Sequence, residues 1–177
     1  MKCTSNPNTY AENSTNQCLS TCLTGFANPR TKQCVSICTS GYFGYNKICY
    51  LNCPATSPTV YADNQTHLCV TNCPNGTFAD LSTLKCVKIC PVSQNTFGDS
   101  LNWVCVAQNL CPGSYYADSS TRMCVPTCPS TPALYGKLPQ KICVSQCTFG
   151  LYADNSSRLC SIGCPFGTYA DNTTMRC

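Results

Sequence analysis

Charge is scarce in this chain. Of 177 residues only 10% are charged, seven acids against eleven bases, for a net charge of +4, whereas an ordinary soluble domain carries about 25%. The bases stand singly and form no run, so the electrostatic footprint of a nucleic-acid binder is missing. There is one histidine, His67, and no paired carboxylates. With the cysteines held in bridges, that leaves no acid–base or nucleophilic constellation, and the sequence reads as a non-enzyme. No apolar run approaches the ~18 residues of a membrane-spanning helix. Met1-Lys2-Cys3 opens no apolar leader segment either.

Cysteine is what the chain has in excess: 20 residues, about 11%, above the level that marks a disulfide scaffold. So many thiols make sense only in an oxidising compartment, so the expected location is extracellular or at a cell surface, and the chain is read as a mature or trimmed segment of a secreted protein. Ser, Thr, Asn and Gln together number 60. A surface that is polar but uncharged suits a glycoprotein.

The cysteines fall in strict alternation of long and short steps. Cutting at the short steps divides residues 1–177 into one array of ten units: Cys3–Cys18, Cys22–Cys34, Cys38–Cys49, Cys53–Cys69, Cys73–Cys86, Cys90–Cys105, Cys111–Cys124, Cys128–Cys143, Cys147–Cys160 and Cys164–Cys177. Three-residue spacers separate them, except for the five residues from Val106 to Leu110. Aligned on the closing cysteine, nine units carry an aromatic eight residues earlier, at Tyr10, Phe26, Tyr61, Phe78, Phe97, Tyr116, Tyr135, Tyr152 and Tyr169. A small residue follows, and then an acid at Glu12, Asp63, Asp80, Asp99, Asp118, Asp154 or Asp171, which are all the acids in the chain. The third unit, with Gly41-Tyr42-Phe43-Gly44-Tyr45, is about two residues short in its turn and breaks this register. Between Cys53 and Cys160 long and short units alternate, implying a two-unit super-repeat of roughly 36 residues.

Each unit reads as a short β-prone run, a turn cluster and a second short run, hence a β-hairpin. The acid starts the turn by accepting hydrogen bonds from amides two or three residues on. Such a hairpin has no core of its own, so bridges and stacking must stabilise it. Closing a loop of about 15 residues contributes roughly 3 kcal/mol in the chain-entropy view. The aromatic is the natural packing element between neighbours. The expected fold is therefore small and disulfide-rich, tandem β-hairpins of about 15–20 residues stacked as an elongated rod or solenoid with little helix. Pairing the first cysteine with the last in each unit is the leading connectivity. Pairing first with third and second with fourth across neighbours also uses all twenty, and both stand open. Pairing across the spacers would strand Cys3 and Cys177.

Zinc is disfavoured because the short cysteine spacers hold three residues rather than two and only His67 is available. Calcium is disfavoured because each unit offers one acid. No cofactor or metal is expected. Glycan is: Asn-x-Ser/Thr sequons stand at Asn13, Asn64, Asn75, Asn155 and Asn172. Four of them, all but Asn75, follow the turn acid at the hairpin tip, where an oligosaccharide can project into water. Ser119, Ser120 and Thr121 at another tip could carry O-linked sugar.

Cys73-Pro74-Asn75-Gly76-Thr77-Phe78-Ala79-Asp80 and Cys164-Pro165-Phe166-Gly167-Thr168-Tyr169-Ala170-Asp171 resemble the furin-like repeats of growth-factor-receptor cysteine-rich domains. The pattern looks closest to cysteine-rich repeat proteins of ciliate and other protist surfaces, including immobilisation-type surface antigens. The resemblance covers essentially the whole chain. It implies an extracellular architecture shared by receptor ectodomains, surface coats and filament components, and brings no catalytic or ligand-binding residue.

The leading expectation is thus an extracellular structural glycoprotein that self-assembles, its partner being itself, into a filament, sheath or cell-surface coat or appendage. The alternative is an ectodomain, stalk or surface antigen displaying a binding surface at the irregular units. Those are Tyr42, Phe43 and Tyr45 in the third, and in the sixth Trp103, expected in a strand before Cys105, with Asn109-Leu110 beyond it.

Overall fold

The computed structural model describes Cys3 and residues 8–177. It is built almost wholly of three-residue strands arranged as hairpins. Their order is β1 Tyr10–Glu12, β2 Gln17–Leu19, β3 Phe26–Asn28, β4 Gln33–Val35, β5 Phe43–Tyr45, β6 Ile48–Tyr50, β7 Tyr61–Asp63, β8 Leu68–Val70, β9 Phe78–Asp80 and β10 Lys85–Val87. They continue with β11 Thr96–Asp99, β12 Val104–Ala107, β13 Tyr116–Asp118, β14 Met123–Val125, β15 Tyr135–Lys137, β16 Ile142–Val144, β17 Tyr152–Asp154 and β18 Leu159–Ser161. The only helix among the described residues is two single 3-10 turns, Val92–Gln94 and Gln108–Leu110. The second absorbs the two extra residues of the long spacer. Two compact bodies are formed, Met1–Cys86 and Val87–Cys177.

Within each body a single rule generates the sheet. The aromatic–small–acid strand of a repeat pairs antiparallel with the strand holding its own closing cysteine, as in Tyr61↔Val70, Ala62↔Cys69 and Asp63↔Leu68. The same first strand pairs in parallel, through its small residue, with the second strand of the next repeat. Ala11↔Gln33, Ala27↔Ile48, Gly44↔Leu68 and Ala62↔Lys85 show it in the first body. Gly98↔Met123, Ala117↔Ile142 and Gly136↔Leu159 show it in the second. Each strand is too short to persist alone, and pairing on both edges removes the exposed ladder that an isolated hairpin would leave.

Ten disulfides join the first and last cysteine of each repeat, from Cys3–Cys18 to Cys164–Cys177, with Cα–Cα separations of 5.4–5.8 Å. No cysteine is free. The aromatic of one repeat packs on the disulfide and small residue of the next: Phe43 with Cys53, Cys69 and Ala62; Phe97 with Cys111, Cys124 and Ala117; Tyr135 with Cys147, Cys160 and Ala153. The core is therefore a row of ring-on-bridge contacts rather than one interior. The small residue is small for the same reason: a Cβ on Gly44 would stand 2.6 Å from the Phe26 ring, and one on Gly136 2.7 Å from the Tyr116 ring.

The irregular third repeat keeps the rule. Phe43 takes the aromatic position, pairing with Tyr50 as Tyr61 pairs with Val70. Its turn is only Asn46-Lys47, both with positive φ, the left-handed pair of a two-residue type I′ hairpin. The missing residues lie in the turn, and counting back from the cysteine hides the equivalence.

Candidate functional site

The hairpin tips are the chemically distinctive feature of every repeat. The first strand ends on a buried acid at Glu12, Asp63, Asp80, Asp99, Asp118 and Asp154 and on a buried amide at Asn28, whereas the third and eighth repeats end theirs on half-buried Tyr45 and Lys137. Its own turn bonds the buried acid or amide. Asp63 accepts from the Gln65 amide at 3.0 Å and from the Thr66 amide and hydroxyl at 3.3 and 2.7 Å. Asn28 accepts from the amides of Arg30 and Thr31. Asp118 accepts from the hydroxyls of Ser120 and Thr121, and Asp99 from the Leu101 amide and the Asn102 side chain. At Glu12, Asp118, Asp154 and Asp171 such bonds favour the ionised form. The hydroxyls of Ser157 and Ser156 hold the Asp154 carboxyl down at about 2, and those of Thr173 and Thr174 do the same for Asp171. Glu12 is lowered mainly by Ser14. For Asp118 burial is the largest influence and raises the value, but the hydroxyls and amides around it outweigh burial and the net shift is downward. A carboxylate saturated by its own turn is a poor proton acceptor.

All five sequon asparagines are exposed. Asn13, Asn64, Asn155 and Asn172 each follow the tip acid, whereas Asn75 sits at the outer corner of the turn that ends with Thr77 bonded back to Pro74. The hydroxyl two residues after the asparagine bonds the acid in three tips, at Thr66, Ser157 and Thr174. Thr83 and Thr121 do the same at tips that have no asparagine. The hydroxyl half of the sequon is thus turn hardware, and only the asparagine varies freely. At the last two tips its amide oxygen accepts from the phenol of the preceding repeat, Tyr135 to Asn155 and Tyr152 to Asn172. Bonding through the oxygen leaves Nδ2, the atom a glycan would occupy, out of that contact. Of the three tip hydroxyls at 119–121, Ser120 and Thr121 bond Asp118, and Ser119 is exposed.

The other residues singled out by sequence are dispersed. Tyr42 and Tyr45 are half-buried and Phe43 is core, so they make no open recognition face. Trp103 is not in a strand: it ends a turn with φ 56°, its amide bonded to the Asp99 carbonyl, one residue before β12 begins. Asn109 and Leu110 form an exposed 3-10 turn. His67 lies at the equivalent turn end, φ 55°. Among the described residues no three of His, Cys, Asp and Glu are grouped to hold a metal ion.

Sequence reading missed that turn end. Two residues before every closing cysteine the backbone is left-handed, at Asn16, Lys32, Lys47, His67, Leu84, Trp103, Arg122, Lys141, Arg158 and Met175, a conformation that costs a non-glycine residue roughly 1–2 kcal/mol. The strain aims a carbonyl at the neighbouring repeat. Ala11 donates to Lys32, Gly44 to His67, Ala117 to Lys141 and Gly136 to Arg158, at 2.7–2.9 Å.

No protein-family model, curated protein or solved structure matches the chain.

Proposed function

We propose that the chain is an extracellular structural glycoprotein whose disulfide-stapled repeats self-assemble into a filament, sheath or cell-surface coat. The observation that carries this reading is translational: one inter-repeat contact, small residue to left-handed carbonyl beneath a ring-on-bridge pair, recurs through each compact body. Such a contact propagates rather than closes, and a heterologous contact that does not close builds a fibre. Ten bridges and no helix long and apolar enough to cross a membrane among the described residues suit a secreted or surface-displayed chain. The exposed tip asparagines supply sites for glycan. Sedimentation of the native, glycosylated protein across a hundredfold concentration range tests the assembly: species of increasing mass are expected, and a monomer throughout would sink it. Glycosidase treatment should lower the mass of peptides holding Asn13, Asn64, Asn155 and Asn172 when compared by mass spectrometry.

A second reading, an ectodomain or surface antigen that displays a binding surface, is favoured by Phe149 and Phe166. They occupy the same turn corner in consecutive repeats, two residues after Cys147 and Cys164, and both are almost fully exposed.

A further inference from the structure

Two repeats close their opening loops in the same way. Each has six residues between its first cysteine and its aromatic. In the sixth repeat the Thr96 amide donates to the Pro91 carbonyl at 3.4 Å, and in the eighth Leu134 donates to Pro129 at 2.9 Å, tying the last loop residue to the first. In both, the next repeat lays a guanidinium across this closure. Arg122 sits 4.1 Å over the Phe97 ring and donates through Nη2 to the carbonyls of Pro91 and Thr96. Arg158 sits 4.6 Å over the Tyr135 ring and donates through Nη2 to Pro129 and Leu134. Ring, first carbonyl and last carbonyl recur as one receptor.

Shorter loops are met differently. The seventh repeat has four loop residues, and Lys141 behind it donates to the carbonyls of Cys111 and Gly113 at 2.8 and 2.7 Å. The second has three, and Lys47 donates to Leu23 at 3.2 Å. The three cation–ring contacts among the described residues, with Lys32 over Tyr10 as the third, all follow six-residue loops. The chemistry explains the division. A guanidinium is planar and weakly hydrated, so it can stack on a ring while its fork reaches carbonyls; an ammonium is a hydrated point charge that caps carbonyls but does not stack as well. In each arginine Nε is buried without a partner, the same cost accepted twice at equivalent positions.

We propose that the residue two before the closing cysteine selects its neighbour, and that a six-residue opening loop tied from first residue to last, as in the sixth and eighth repeats, forms with its ring a receptor for the guanidinium of the repeat that follows. Lys32, 5.4 Å over Tyr10, shows that such a ring also takes an ammonium, at longer range. This inference rests on the repeat geometry and is independent of the assembly reading. It accounts for the alternation of 15-, 13-, 15- and 13-residue bridges from Cys90 to Cys160. A slip by one repeat would set Arg158 against a four-residue loop and Lys141 against a six-residue one, so the order of repeats is specified.

The test uses the full secreted chain as R158K, R158Q and K141R, each checked for the ten native bridges by peptide mapping and then followed by amide hydrogen exchange. R158K is expected to speed exchange at Leu134 and Gly136 at least tenfold, close to R158Q, with Ala117 unchanged. K141R is expected to leave Ala117 exchange no slower. R122K, read at Thr96 and Gly98, repeats the test on the sixth loop if R158K does not form its bridges. Exchange within twofold of wild type in the Lys variants, an equal rise at Ala117, or tenfold slowing by K141R would each overturn the inference.

Discussion

The tip carboxylates belong to turns, and that fixes how they answer acid. Asp154 and Asp171 are held near 2 against an ordinary value of 3.8 because hydroxyls and amides donate to the ionised form. A depressed carboxylate stabilises the fold above its unfolded value and loses that contribution as pH falls through its folded value. The ninth tip should therefore stay closed at pH 4 and loosen as pH drops through about 2. Amide shifts of Ser156 and Ser157 should titrate with that midpoint, and the midpoint should vanish in Asp154→Asn; a midpoint near 4 would contradict the account. That the acids start turns was legible, because Asp followed by Ser, Thr or Asn is turn chemistry whatever the context. The left-handed residue was not. Lys, Arg, Trp and Leu carry no local preference for positive φ, and the conformation is imposed by the neighbour that its carbonyl serves. One trace was present: five of the ten such positions are basic, at Lys32, Lys47, Arg122, Lys141 and Arg158, in a chain with eleven bases.

For the hairpin, the small residue between aromatic and acid is a steric requirement set by the preceding repeat. Gly136→Val should cost about 1–3 kcal/mol, since overpacking forces a packed ring to move, and the Cβ would meet Tyr116 at 2.7 Å. Gly163→Ala is the control: nothing lies within 4 Å of its Cβ and its φ is ordinary, so a change within about 0.5 kcal/mol is expected. Thermal melting with the bridges intact reads both, and equal effects would remove the ring contact from the account. Hairpins were legible from alternation and turn residues, yet the third repeat was misaligned. Counting from Cys49 treats loop length as constant, whereas the Asn46-Lys47 turn is two residues and Phe43 fills the ring position.

Across the whole molecule, stability comes from many closed loops, and within each compact body the ring of one repeat packs on the bridge of the next. Removing one bridge, as in Cys128→Ala with Cys143→Ala, should cost about 2–5 kcal/mol. Because Tyr135 packs on the following bridge, Cys147–Cys160, exchange should rise first in the eighth repeat and its immediate neighbours; uniform loosening of the chain would argue against nearest-neighbour stacking. The alternating cysteine steps made the repeat legible at this scale. They did not decide the connectivity, because two pairings satisfied the same spacing until the hairpin register placed each first and last cysteine together.

The claim that matters most is assembly through a propagating contact, and negative-stain electron microscopy of the native protein under non-reducing conditions addresses it most directly. Filaments or sheets with a regular axial repeat that disappear after thorough disulfide reduction are the predicted result. Isolated particles at every concentration, or assemblies that persist unchanged after reduction, would contradict it.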